Sequence, residues 1–132
     1  MIFAVDFDGT LCVDRFPEIG EPRHDVIDTV KDARASGAKI ILWTCRSGKD
    51  LAAAVEWCVE QGLIFDAVND NLPENIALHN NNSRKVYADR YIDDKNIGGF
   101  PGWEFCAKEI TKMENQYQEK SQSPICPKCP DL

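Results

Sequence analysis

The feature that most constrains the fold is a repeated one: short apolar runs that stop abruptly at polar residues, with helix-patterned stretches between them. Met1-Ile2-Phe3-Ala4-Val5 ends in Asp6-Phe7-Asp8-Gly9-Thr10, Ile40-Ile41-Leu42-Trp43 ends in Thr44-Cys45-Arg46-Ser47-Gly48, Leu63 to Val68 ends in Asn69-Asp70-Asn71, and Tyr91-Ile92 ends in Asp93-Asp94. Runs of this length, apolar throughout, read as strands buried on both faces. Between them, Val26, Ile27, Val30 and Ala33 recur at helical spacing, and Leu51, Ala54, Val55, Cys58 and Val59 define a second helical face. Ser36-Gly37 and Gly62 supply the stops, and Ser47 or Asp50 can cap the start of the second helix. Strands alternating with helices predict an α/β fold, a Rossmann-like parallel sheet with flanking helices and right-handed crossovers.

Such sheets bind ligands beyond the carboxyl ends of their strands, so the fold alone would bring Asp6 and Asp8, Thr44, and Asp93 and Asp94 to one edge. Two carboxylates one residue apart, followed by a glycine that lets the backbone turn, make an anionic mouth suited to a hard divalent cation, with Mg2+ as the natural occupant.

Residues 11–22, with Pro17, Gly20 and Pro22, read as an irregular hairpin or loop. Residues 72–84 are asparagine-rich without sustained periodicity and read as loop with one helical turn at most. Trp103, Cys106, Ile110, Met113 and Tyr117 have the spacing of a C-terminal helix. The expected organisation is one domain over residues 1–118 and a polar tail over 119–132. That tail carries Cys126 and Cys129 as a CxxC pair, half of a zinc site, a redox pair or an idle one. A zinc-bridged homo-oligomer is one expectation it raises.

The 132 residues carry 15 Lys and Arg against 22 Asp and Glu, a formal charge of -7, and no basic run. Bulk charge therefore gives no support to a nucleic-acid partner. No stretch reads as a signal peptide or membrane span, which makes a cytoplasmic location the expectation. In a reducing compartment Cys12, Cys45, Cys58 and Cys106, scattered singly among apolar residues, are expected to be small buried hydrophobes. His24 and His79 have no partner spacing and read as surface residues.

The stretch Asp6-Phe7-Asp8-Gly9-Thr10 after an N-terminal strand resembles the first motif of the haloacid dehalogenase-like superfamily, in its phosphatase and phosphotransferase form. The resemblance extends through Thr44 as second motif, Lys85 as third and Asp93-Asp94 as fourth, in the superfamily's order, over residues 2–96. It implies a phosphomonoester hydrolase in which Asp6 is the nucleophile and forms an aspartyl-phosphate. Asp8 would be the acid and base, with its backbone carbonyl on the metal. Thr44 and Lys85 would bind the phosphate, and Asp94, with Asp93, would join Asp6 in holding Mg2+. The acid at position 8 favours phosphoryl transfer over dehalogenation, because a halide leaving group needs no proton.

Members usually carry a cap domain after the first motif or before the lysine motif. Segments 11–22 and 69–84 are too short to fold as one, so the resemblance is to a capless member. Its open site would admit a small or macromolecular phosphate ester, or be closed by a neighbouring subunit. Arg46, Asn69 and Asn71 are expected near the mouth as substrate contacts. Two other readings compete: a receiver-like domain switched by phosphorylation of an aspartate, and a non-catalytic module that engages a partner through the cysteine tail.

Overall fold

The computed structural model describes residues 1–119. The CxxC pair at Cys126 and Cys129, and the zinc, redox and dimer readings attached to it, lie outside the described residues. Six strands and four helices follow one another as β1 (Ile2–Val5), β2 (Cys12–Arg15), β3 (Glu18–Pro22), α1 (His24–Ala35), β4 (Lys39–Leu42), α2 (Gly48–Glu60), β5 (Ala67–Val68), α3 (Pro73–His79), β6 (Arg90–Ile92) and α4 (Trp103–Glu119). Four strands form a parallel sheet in the order β5-β4-β1-β6, and β2 and β3 form a separate antiparallel hairpin. This is the α/β, Rossmann-like architecture the sequence predicts.

The sheet is buried on both faces, which is why β1 and β4 are apolar without alternation. Phe3, Val5, Ile40 and Leu42 face a larger core built with Val26, Ile27 and Val30 of α1, Ala54 and Cys58 of α2, and Ile110 of α4. Ala4 and Ile41 face a smaller core with Leu72 and Val86. The crossovers through α1 and α2 add β4 and then β5 on one side of β1. The return through α3 sets β6 on the other side, so the strand order reverses between β1 and β6. Ligand crevices of open α/β sheets form at such reversals, and here the flanking strand ends carry Asp6 and Asp93-Asp94.

Several local expectations change. The third apolar run is a strand only at Ala67–Val68. Leu63 is buried while Ile64 is 59% exposed, so the run descends from α2 into the core before it pairs. The asparagine-rich segment holds α3, two turns rather than one at most, started by Pro73 and ended by Asn80 in the left-handed region. Residues 11–22 form the irregular hairpin that the sequence predicts, antiparallel with a register shift between Cys12 and Asp14 and a cis Phe16–Pro17 bond at its tip. Val59, assigned to the buried face of α2, is 64% exposed, and Ser47 sits at the N-cap without a side-chain capping bond. Cys45 is exposed rather than buried, and His79 is half-buried rather than on the surface. Burial pushes the thiols of Cys12 and Cys58 up to about 11 and about 12, consistent with inert core residues.

Candidate metal centre and active site

Asp6 is the first residue past β1, and its backbone N–H donates to the Ile92 carbonyl (2.9 Å), continuing the ladder to the end of β6. Asp6, Asp93 and Asp94 thereby converge, each offering a carboxylate oxygen within 4.8 Å of the others. The approach of Asp94 explains the glycine of the first motif. A Cβ on Gly9, which has φ +84°, would lie 2.1 Å from Asp94 Oδ2, so any side chain there would displace the carboxylate.

The cluster is electrostatically incomplete. Burial, then a hydrogen bond with Asp94 and the charge of Asp93, raise the Asp6 pKa to about 8, against a lowering by the Thr10 hydroxyl. Asp94 Oδ1 is buried with no hydrogen-bond partner among the described residues. Three converging carboxylates, one with an orphaned oxygen, form an all-oxygen donor set that fits a hard cation such as Mg2+. Lys95 N–H donates to Asp93 Oδ1 (2.9 Å) and Asn96 Nδ2 to the Asp93 carbonyl (2.7 Å), which fixes the turn that presents the pair.

Asp8 is in a different environment. Arg46 grips it in a two-pronged ion pair, Nε to Oδ2 at 2.7 Å and Nη2 to Oδ1 at 2.8 Å, and also donates to the carbonyls of Pro17 (3.0 Å) and Glu18 (2.9 Å) in the hairpin turn. The guanidinium lies between the rings of Phe7 and Phe16, 5.1 and 5.0 Å from their centroids, and the side chain is 1% exposed. Its pKa is held above the ordinary value, first by the hydrogen bond with Asp8. Arg46 is therefore not an open substrate contact; its donors are engaged by Asp8 and the hairpin. The Asp8 carboxylate lies outside the three-carboxylate cluster, which leaves its backbone carbonyl as the ligand the resemblance implies.

Thr44 follows β4, level with the site because Trp43 N–H donates to the Val5 carbonyl (2.9 Å). Its N–H donates to Asn69 Oδ1 (2.8 Å), and its Oγ1 accepts from Arg46 N–H (3.1 Å), leaving the hydroxyl hydrogen to be given to a ligand. Asn69 holds a left-handed backbone (φ +51°) in order to reach Thr44. Asn71 is buried, donates Nδ2 to Asn82 Oδ1 and the Ser83 carbonyl, and accepts from Tyr87 N–H (2.8 Å). Asn71 thus holds a loop, and the Asn69 side-chain oxygen holds Thr44 in place.

Lys85 is exposed, with Nζ 5.8 Å from the Tyr91 ring centroid, and no ion pair joins it to Asp6, Asp93 or Asp94. The sequence reading gave Thr10 no role. It is fully buried and donates Oγ1–H to Asp6 Oδ2 (3.0 Å), a contact whose signal was the four-residue spacing across the glycine turn.

No protein-family model matches the chain, and no curated protein matches it. Among solved structures, it resembles a conserved protein from Bacteroides thetaiotaomicron, with a TM-score of 0.77 and 40% sequence identity, over 92% of this chain and 98% of that one. An identity of this size over nearly the whole of both chains establishes more than a shared fold, and the chain belongs to the same family as that conserved Bacteroides protein.

Proposed function

We propose that the protein is a Mg2+-dependent phosphomonoester hydrolase, a capless phosphatase of the haloacid dehalogenase type that works through an aspartyl-phosphate on Asp6. The observation that carries this reading is the convergence of Asp6, Asp93 and Asp94, with a buried and unpartnered Asp94 oxygen, at the strand-order reversal. Asp6, Asp93 and Asp94 would hold the cation through their carboxylates. When bound, it supplies positive charge that keeps these acids ionised and offsets the charge of a phosphate dianion.

The ionised Asp6 carboxylate attacks phosphorus, a P–O bond forms to Asp6, and the bond to the ester oxygen breaks. Thr10 restrains the nucleophile through its hydrogen bond to Oδ2. Thr44, held by Asn69 and by the Arg46 amide, directs its hydroxyl toward a phosphoryl oxygen. Lys85 adds a charge on a long, exposed stem. Asp8 protonates the departing oxygen, then takes a proton from the water that hydrolyses the phosphoaspartate. Both of its oxygens accept from Arg46, the arrangement of the base form, so donation to the leaving group requires Arg46 to release one of them.

Among the described residues no helix is long and apolar enough to cross a membrane, and the cytoplasm is the compartment proposed. The test is hydrolysis of p-nitrophenyl phosphate by the wild-type chain and Asp6→Asn, with Mg2+ and with chelator. Turnover that needs both the metal and Asp6 is expected, and metal-independent turnover in Asp6→Asn would overturn the mechanism.

A further inference from the structure

A second cavity lies on the α3 side of the sheet, about 270 Å³ in volume and lined by residues of α3, of the segment that follows it and of β6. None of its lining residues belongs to the acidic cluster. Its chemistry is opposite to the rest of the molecule: the chain is rich in carboxylates, and none of those among the described residues lines this cavity. Lys85 does, with its ammonium over the Tyr91 ring and no carboxylate partner among the described residues.

Asn75, also in the wall, is 7% exposed, and its buried Nδ2 has no hydrogen-bond acceptor among the described residues. A buried amide donor without a partner is destabilising, and an acceptor from outside the chain would satisfy it. The same lining includes the apolar side chains of Val86 and Ala88 and the Tyr91 ring. A cation, an orphan donor and an apolar wall, free of negative charge, match one ligand class.

We propose that this cavity is a binding site for a small organic anion, whose carboxylate or phosphate head is held by Lys85 and Asn75 and whose apolar body lies against Val86, Ala88 and Tyr91. The site does not depend on the phosphatase reading, and its occupant needs no ester bond to be cleaved. Because Lys85 is also the phosphate-binding lysine of that reading, an anion here would hold its ammonium on the cavity side.

The experiment uses the full, isotope-labelled chain and NMR, with three probes: benzoate, inorganic phosphate, and benzyl alcohol as the uncharged analogue of benzoate. Benzoate is expected to shift the Asn75 side-chain amide pair and the Val86 and Ala88 methyl signals saturably. Benzyl alcohol should bind at least about tenfold more weakly, the loss expected when a charge-assisted hydrogen bond is removed. A phosphate response at the Asn75 amide without the methyls would assign the head-group subsite alone to inorganic phosphate and support the same chemistry. Lys85→Met should abolish the benzoate shifts while its backbone spectrum stays dispersed. Unmoved Asn75 and Val86 signals at saturating benzoate, or benzyl alcohol binding as tightly as benzoate, would overturn the proposal. The two wild-type titrations decide it even if the variant does not fold.

Discussion

Asp6 and Asp8 are two residues apart on one strand end, yet their surroundings are opposite. Asp8 has both oxygens satisfied by a buried guanidinium that is itself anchored to two hairpin carbonyls. Asp6 faces two more carboxylates, with the Thr10 hydroxyl as its one compensating donor among the described residues, and its pKa climbs to about 8. Both lie past the end of β1, beyond the alternation that would place residues two apart on the same face. The hairpin meets one of them, and the turn after β6 meets the other. One half of the motif is electrostatically closed by the protein, and the other has no counter-charge among the described residues.

The largest expected effect breaks the open half. Asp6→Asn keeps an oxygen for Thr10 but loses the nucleophile, and Mg2+-dependent turnover of p-nitrophenyl phosphate should fall by at least about a thousandfold. The same substitution removes one of three mutually repelling acids. Urea denaturation of the metal-free protein at pH 8 should therefore show the variant to be more stable than wild type. An inactive variant that is also less stable would mean that Asp6 acts as a packing residue.

Breaking the closed half should have the reverse signature. Arg46→Met leaves Asp8 without its partner and two hairpin carbonyls without a donor. Loss of one member of a buried ion pair costs about 3–5 kcal/mol, so the urea midpoint should fall sharply. A change below about 1 kcal/mol, the range of an exposed pair, would mean that the hairpin does not depend on Arg46.

The pH dependence sharpens the contrast. The carboxyl of Asp6 titrates at 3.8 when unperturbed and near 8 in the folded, metal-free chain. The folded state then binds the proton more tightly than the unfolded one. The resulting stabilisation is fully present below about pH 4 and is lost as pH rises through about 8. The melting temperature without metal should fall across that window, and the increment given by Mg2+ should grow, because the cation and the proton compete for the same oxygens. Asp6→Asn should flatten both trends, and a Mg2+ increment independent of pH would contradict the coupling.

How much of this was legible in the sequence follows from the range of the interactions. β1 and β4 are continuous apolar runs that end in polar residues, and they could be read locally, as could the gathering of Asp6, Thr44 and Asp93 at one edge. α3 could not, because its interior position is held by Asn75 and it ends on a left-handed Asn80, so it shows no apolar period. The run at 63–66 was read as strand because its apolar residues are consecutive. Its pairing is limited by the Asp66 carboxylate, which accepts from Ile40 N–H (2.9 Å) and Arg34 (3.4 Å) just ahead of β5. The sequence reads Arg46, Asn69 and Asn71 at the mouth, and the structure gives them partners 38, 25 and 16 residues away in Asp8, Thr44 and Tyr87. No local pattern separates a polar residue that faces a ligand from one that binds a distant loop.

The smallest effect tests how finely the closed half is built. Asn69 joins it through Thr44, whose hydroxyl in turn accepts from the Arg46 amide. Asn69→Gly keeps the left-handed backbone without strain and removes only the acceptor, so it should cost about 1 kcal/mol of stability. It should also lower kcat/KM for p-nitrophenyl phosphate severalfold, as the Thr44 loop loosens. Asn69→Ala removes the same acceptor and adds the penalty of a Cβ at φ +51°, about 1–2 kcal/mol more. If position 69 acts on Thr44 through its side chain, the two variants should share one loss of kcat/KM and differ only in urea midpoint. A larger kinetic loss in the alanine variant would show that the backbone conformation at Asn69, rather than its amide oxygen, holds Thr44 in place.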